Sequence, residues 1–372
     1  MKTLLYTLIL LVAHCSSANS QTLEPCRGDS GLYGYCDDNG QMIIDYQYYD
    51  ALEFVDGHAA VLKEDKWGII NESGHWMVKP AYDEVVNCVN VPGQILVREE
   101  DNWFFVNSYG IQMTHEFEVR SPWHEFDLEG TEAYFSEDTW FAVIRKGKWG
   151  VIDIHDQVKM SFNYQWTRVV RREIAGRQGV VALIMKERDK YAWQRVDATA
   201  ATGFDFDQYL GEYENYLFFM EGAKPVILNA ISGERVFQTS REYFNLIDDE
   251  DSVGLVNSAG KIIVPFRYQY VDIGSIDGFA LFGSRSSKGL SALNGKVLLK
   301  DVYKDIKLVA PTTLAVKNQE GKVALIAIQS AGIRNVTSFK YDYAVKDGDR
   351  IRMKMGSKLG YVTSTGVETW KN

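Results

Sequence analysis

The chain has 372 residues, 46% of them hydrophobic and 24% charged, a balance that excludes an intrinsically disordered protein. Aromatic residues reach 13%, a share that suits pleated β-structure, where flat side chains pack across strands. The net charge of -10 offers no basic background for a phosphate backbone, so nucleic acid is not expected as a partner.

Taken in order, the chain opens with Lys2 and an apolar run from Leu4 to Ala13, followed by small polar residues. Ala18-Asn19-Ser20 places small residues at positions -3 and -1 of a cleavage site after Ser20. Residues 1–20 therefore read as a secretory signal peptide, and the protein as secreted or periplasmic. The run is too short to span a bilayer, and no later stretch is long and apolar enough for a transmembrane helix. A lipoprotein reading through Cys15 is weaker, because His14 stands where a small residue is wanted. Cys26, Cys36 and Cys88 remain after the signal. Export permits a Cys26–Cys36 bridge, with Cys88 left as a buried apolar thiol; three free core cysteines fit equally well. Their spacing is not that of a zinc site.

The segment Lys66-Trp67-Gly68-Ile69-Ile70-Asn71-Glu72-Ser73-Gly74 reads as a strand, a tight turn over Asn-x-x-Gly, and a return strand starting near Trp76. Copies recur with the anchor glycine slot at Gly34, Gly68, Phe104, Gly150, Gln194, Val226, Gly254, Gly289, Ala324 and Gly360. Successive anchors at the two ends of the array lie about 35 residues apart, the period of a propeller blade or a solenoid coil; the middle, 104–254, carries insertions. Tyr33, Trp67, Trp103, Trp149 and Trp193 precede their anchors and read as plugs between repeats. The anchor glycine reads as a place of close approach, with the preceding Trp as the ring that approaches. Asp37, Asn71, Asn107, Asp153 and Asn257 stand three residues after the anchor, and Gly40, Gly74, Gly110 and Gly260 six after, which is hairpin chemistry. A tyrosine follows at 48, 82, 164, 268 and 303. Short helical pieces are expected only within 116–139 and 204–218. The copy at Gly360 lacks the strands that follow its hairpin; in a closed ring they would come from 21–30.

Lys66-Trp67-Gly68-Ile69-Ile70-Asn71 and Lys148-Trp149-Gly150-Val151-Ile152-Asp153, with Val253-Gly254-Leu255-Val256-Asn257 and the following Pro80, Tyr82-Asp83, Pro265 and Tyr268, resemble the WG (KWG) repeat of bacterial proteins. The resemblance implies an all-β array over 21–372 and little about chemistry. The expected fold is all-β, with tandem repeats of short antiparallel strands in a propeller-like array; an open β-solenoid is the alternative.

Segment 116–139 is the main insertion. Glu116, Glu118, Glu125, Asp127, Glu129 and Glu132 outnumber Arg120, with Trp123, Phe126 and Tyr134 interleaved. Loops on a rigid scaffold carry binding, so Trp123, Glu125, Phe126, Asp127 and Tyr134 form the expected binding set, for a sugar or a cationic partner. A solvated loop packed on its neighbours is the bland alternative. The run Arg168, Arg171, Arg172 and Arg177, continued by Lys186, Arg188 and Lys190, reads as a partner for that insertion, a dock for an anionic glycan, or an alternating exposed strand face. His115 beside Glu116 and His124 beside Glu125 lack metal-ligand spacing, and no metal or cofactor is expected. The sequence thus reads as a monomeric, non-catalytic exported scaffold for a protein or carbohydrate ligand. A glycan-acting enzyme using carboxylates of 116–139 and a structural cell-envelope component are the alternatives.

Overall fold

Asparagine and aspartate side chains fold the hairpins. The computed structural model describes residues 22–371, apart from 90–92, 120–127, 130–131, 135–138, 175–176, 238, 240 and 331. At Asn71 the side-chain oxygen accepts the amides of Ser73 at 3.1 Å and His75 at 3.0 Å, and Gly74 closes the turn at φ 75°. Asp37, Asn107, Asp153 and Asn257 accept from the residues two and four further on in the same way. One side-chain acceptor for two otherwise orphaned amides, with glycine in the left-handed region, reverses the chain within a few residues.

Strand pairing among the described residues gives ten sheets, and each of the ten anchor positions lies in a different sheet. The second sheet shows the plan: Asp50–Ala51, His58–Lys63, Lys66–Asn71 and Trp76–Tyr82 pair antiparallel in chain order. The anchor strand is third of four. The sheets anchored at Gly289, Ala324 and Gly360 likewise take their first two strands from the chain before the anchor, not after it. The last sheet, Tyr343–Asp347, Arg350–Met355, Lys358–Val362 and Glu368–Trp370, is complete. The first has three strands, Glu24–Arg27, Tyr33–Cys36 and Met42–Tyr48. The expectation that the last copy is the short one is thus corrected. The helical piece expected within 204–218 is also corrected, while most of 116–139 lies outside the described residues. Among the described residues there is no helix; 204–218 contains Gln208–Tyr213 and the start of Tyr216–Glu221, two paired strands.

The register explains the anchor glycine. Trp67 pairs with Tyr82 and Ile69 with Val78, so two residues of the anchor strand face four of the return strand. The same offset occurs at Tyr33↔Tyr48 with Tyr35↔Ile44, at Val253↔Tyr268 with Leu255↔Val264, and at Lys288↔Tyr303 with Leu290↔Leu299. The surplus residues bulge over the anchor. A Cβ on Gly68 would lie 2.6 Å from the Trp76 ring, 2.8 Å from the Val78 carbonyl and 2.9 Å from Pro80 N; one on Gly254 would meet the Phe266 ring at 2.5 Å. The group that approaches is therefore the bulged return strand, not the tryptophan before the anchor. All four copies with this offset have glycine. At Ala324 the return chain is also longer than the anchor strand, Val323↔Tyr341 followed by Ile326↔Asn335, yet a side chain is accommodated there.

Two-residue turns also fix the phase of the degenerate fifth repeat. Glu187 pairs with Lys190 as Lys63 pairs with Lys66, which puts Ala192 in the anchor slot rather than Gln194. Tyr191, not Trp193, then precedes the anchor, and it bridges Phe206 as Trp67 pairs with Tyr82. Trp193 is still packed: it is buried, its indole N–H donates to the Ala230 carbonyl at 3.3 Å, and Gly233 leaves room for its ring. The equivalent bridges Trp103↔Phe117 and Val323↔Tyr341 mark two further irregular copies.

The chain divides into two compact units, Met1–Ser161 and Phe162–Asn372. In the first, one apolar cluster joins Tyr35, Ile44 and Tyr48 of the first sheet to Ala59, Val61 and Ile70 of the second. The next joins Trp67, Ile69 and Tyr82 to Val85, Val97 and Phe104 of the third. In the second unit four clusters in turn join the sheets anchored at Val226, Gly254, Gly289, Ala324 and Gly360. Within each unit these repeats bury apolar faces on their neighbours, as stacked repeats must. Each large side chain so buried contributes about 1.5–3 kcal/mol. A polar clip accompanies this packing. Lys66, Lys190 and Lys322 reach Asp83, Asp207 and Asp342 at 2.6, 2.5 and 2.7 Å. The second oxygen of each aspartate accepts the turn amide of the following sheet, Glu100 at 2.8 Å, Gly222 at 2.5 Å and Gly356 at 2.7 Å. Cys26 and Cys36 form a disulfide, Cα–Cα 5.8 Å, across the first two strands.

Candidate functional site

The third repeat departs from the plan. After its anchor strand Asn102–Val106 the chain turns over Asn107, whose Oδ1 accepts Tyr109 N and Ile111 N, each at 3.0 Å. No continuous return strand follows. Instead residues 111–118 form a strap pinned at intervals. Met113 N donates to the Phe105 carbonyl at 2.7 Å, and the Thr114 hydroxyl takes the Phe105 amide at 3.0 Å. Phe117 exchanges two backbone bonds with Trp103 at 2.8 and 3.0 Å. Glu118 exchanges two with Ile144, in the next sheet, at 2.8 and 2.7 Å. Phe117 is the anchor of the strap; its ring is buried beside Phe105, which in turn meets Phe141.

Because successive residues of extended chain alternate in direction, burying Phe117 turns Glu116 and Glu118 outward, and both are exposed. They line a groove of about 560 Å³ together with Asn102, Gln112, His115 and Lys146. Beneath it Asp156 is held by Arg145 and His115, with the His115 amide also donating at 3.2 Å. Burial works against the charge of Asp156, but these donors outweigh it and its pKa falls below the ordinary aspartate value. The groove can form hydrogen bonds and ion pairs with a ligand.

The site residues expected from the sequence fall differently. Trp123, Glu125, Phe126 and Asp127 lie outside the described residues, as do the signal segment, Cys15 and His124. Tyr134 lies in the strand Glu132–Tyr134, which pairs parallel with Glu84–Val89; its own side chain, and that of Cys88 opposite Ala133, lie outside the described ones. The insertion thus adds the hairpin Leu128–Glu129/Glu132–Tyr134 to the edge of the third sheet. No group of three or more metal-binding side chains occurs among the described residues.

The basic run is engaged within its own unit. Arg168 Nε and Arg172 Nη2 donate to the two oxygens of Glu212 at 2.5 and 2.7 Å; Lys186 reaches Asp249 at 3.1 Å and Lys190 reaches Asp207. Burial raises the cost of charging Glu212, yet the two guanidinium groups prevail and its pKa is lowered. Lys186 also lies over the Tyr191 ring, 4.9 Å from its centre. The two readings of this run as an outward-facing dock or a partner of the insertion give way, for Arg168, Arg172, Lys186 and Lys190, to ion pairs within the unit, Arg172 and Lys186 being largely buried and Arg168 and Lys190 exposed. Sequence reasoning also missed the strap, for which the outward Tyr109, Ile111 and Met113 beside a missing return strand were the available signal.

Ten sheets, each on one anchor hairpin, define a tandem β-repeat protein. The WG containing repeat matches the chain at residues 33–67, 67–90 and 254–282. No curated protein matches the chain. Among solved structures it is similar to a eukaryotic initiation factor, at 9% identity over 95% of this chain and 96% of that one, TM-score 0.34. It is also similar to the extracellular domain of a hybrid two-component system of B. thetaiotaomicron, at 10% identity over 95% and 58%, TM-score 0.23. A third is PorZ, a surface component of the type-IX secretion system of Porphyromonas gingivalis, at 6% identity over 88% and 52%, TM-score 0.23. The chain spans little more than half of the latter two. At these scores the likenesses carry no functional argument.

Proposed function

We propose that the protein is an exported, non-catalytic binding scaffold whose repeats serve packing and whose ligand, a protein or a carbohydrate, is held at the third repeat. One observation carries this reading. The recurring polar residues are occupied with structure, in Asx turns and Lys–Asp clips, whereas the strap 111–118 replaces a return strand with an outward-facing groove. Loops displayed on a rigid frame are where binding is usually placed. The insertion residues Trp123, Glu125, Phe126, Asp127 and Tyr134 extend the same region in sequence. Export is supported by the N-terminal Lys2 and Leu4–Ala13 pattern and by the Cys26–Cys36 disulfide, a bond that persists in oxidising compartments.

The test is a Glu125→Gln/Asp127→Asn variant and a Glu116→Gln/Glu118→Gln variant, each assayed for binding and for hydrolysis on a panel of oligosaccharides and secreted-protein fragments. Ligand binding lost in either variant, with no turnover by the parent, is the expected result. Turnover by the parent that is abolished in the variants replaces the scaffold with an enzyme. N-terminal sequencing of the exported chain is expected to start at Gln21.

A further inference from the structure

We infer that the strap surface takes a protein segment in which lysine or arginine residues stand beside apolar ones. This rests on the binding reading and names the partner's chemistry. The outward residues of 109–118 change character along the strap. Tyr109, Ile111 and Met113 come first, exposed by 71%, 61% and 49%. Glu116 and Glu118 follow, exposed, with no ion pair among the described residues. Gly110 packs on Val78 and Thr114 is buried against Phe105 N, while Ile111, Gln112 and Met113 between them all face water. The two carboxylates are likewise on one side of extended chain, about 7 Å apart.

Among the described residues, the cations of the groove do not pair with those carboxylates. Arg145 and His115 are both engaged with Asp156, so Lys146 is the remaining described cation on the groove's rim, against two glutamates. An apolar strip running into an acidic one is complementary to a basic, amphipathic segment. The apolar part would supply buried area, and the acids would supply orientation and a salt-dependent approach. A neutral sugar would use the amides of Asn102 and Gln112 but would leave Tyr109, Ile111 and Met113 uncovered and the acids unneutralised. The whole chain, at -10, also favours a cationic partner at long range.

The experiment uses the full chain and three fluorescent probes: a peptide of alternating Lys and Leu, its Glu and Leu counterpart, and a neutral oligosaccharide. Binding of the Lys/Leu peptide is expected to weaken at least tenfold in Glu116→Lys/Glu118→Lys and at least tenfold in Ile111→Ser/Met113→Ser. It is expected to change less than twofold in Asp277→Lys/Glu320→Lys, which alters net charge equally at exposed acids elsewhere. Unchanged circular dichroism and melting temperature in all three variants establish that folding is not being read. Equal binding of the Glu/Leu peptide, or equal losses in the control variant, overturns the inference. Strap-dependent binding of the oligosaccharide alone overturns it while leaving the groove as the binding region. Absence of strap-dependent binding for every probe overturns both.

Discussion

Replacing Gly68 by alanine tests the packing of the repeat at one atom. In an ordinary strand the change is favourable, since glycine costs about 0.5–1 kcal/mol relative to alanine through its greater freedom in the unfolded chain. Gly68 is a strand residue outside the left-handed region, so backbone strain does not enter. The new methyl would, however, stand 2.8 Å from the Val78 carbonyl and 2.9 Å from Pro80 N, backbone atoms of the bulge that cannot swing aside as a flexible side chain would. The Trp76 ring at 2.6 Å adds a third contact. Overpacking of this kind costs about 1–3 kcal/mol, so the sign reverses and the net effect is destabilising. For a unit of this size that is a fall in melting temperature of about 2–10 °C. Ala324→Gly is the paired control. Its anchor position already accommodates a Cβ, so no overpacking is relieved or created and the propensity loss of about 0.5–1 kcal/mol is expected. Urea unfolding of both variants reads the difference through the midpoint at constant slope. A Gly68→Ala protein as stable as the parent, or more so, would refute the bulge explanation of the anchor.

Three further outcomes are expected. Glu212→Ala leaves the guanidinium of Arg172, 14% exposed, without the carboxylate that compensates it, and should cost about 3–5 kcal/mol in chemical denaturation; a loss under 1 kcal/mol would show the pair to be solvated. The clip aspartates Asp83, Asp207 and Asp342 have pKa values lowered from 3.8, chiefly by the hydrogen bond from Lys66, Lys190 and Lys322 respectively. A depressed folded-state pKa gives stability that is present at neutral pH and is lost as pH falls below the ordinary aspartate range. The unfolding midpoint should therefore drop between pH 5 and 2, and Asp→Asn at all three positions should flatten that drop; an unchanged profile would count against the clips. Opening the Cys26–Cys36 loop, a separation of 10 residues, with a reductant should cost about 3 kcal/mol in the first unit, measured by loss of protection around Tyr35 and Tyr48; equal stability of the Cys26→Ser/Cys36→Ser chain would argue that packing alone holds the first strand.

The hairpins were legible because Asx and glycine act on their own neighbours: Asn71 and Gly74 need nothing distant to make their turn. The plan of the sheets was less so. A repeat period has no intrinsic starting point, so the strands on either side of Gly68 read equally well as one unit; only register shows that the sheet begins at Asp50. Trp193 misled for a similar reason. A tryptophan marks the slot before the anchor in three copies, but in the fifth Tyr191 takes that slot, and the turn at Arg188-Asp189 decides the phase. The clips were invisible because lysine and aspartate are common on any surface; a constant geometry with the next sheet's turn amide appears only in three dimensions. At the candidate site the acidic character of Glu116 and Glu118 was plain. The apolar strip beside it was not, since Ile111 and Met113 read as ordinary return-strand core until the strap turns them outward.

Hydrogen–deuterium exchange over the anchor strands tests most directly that one sheet stands on every anchor, including those that have lost Trp-Gly. Slow exchange is expected in Asn102–Val106, Lys190–Arg195 and Lys224–Asn229, matching Lys66–Asn71 and Val253–Asn257. Exchange of those three at the rate of turns such as 64–65 would contradict the ten-repeat architecture.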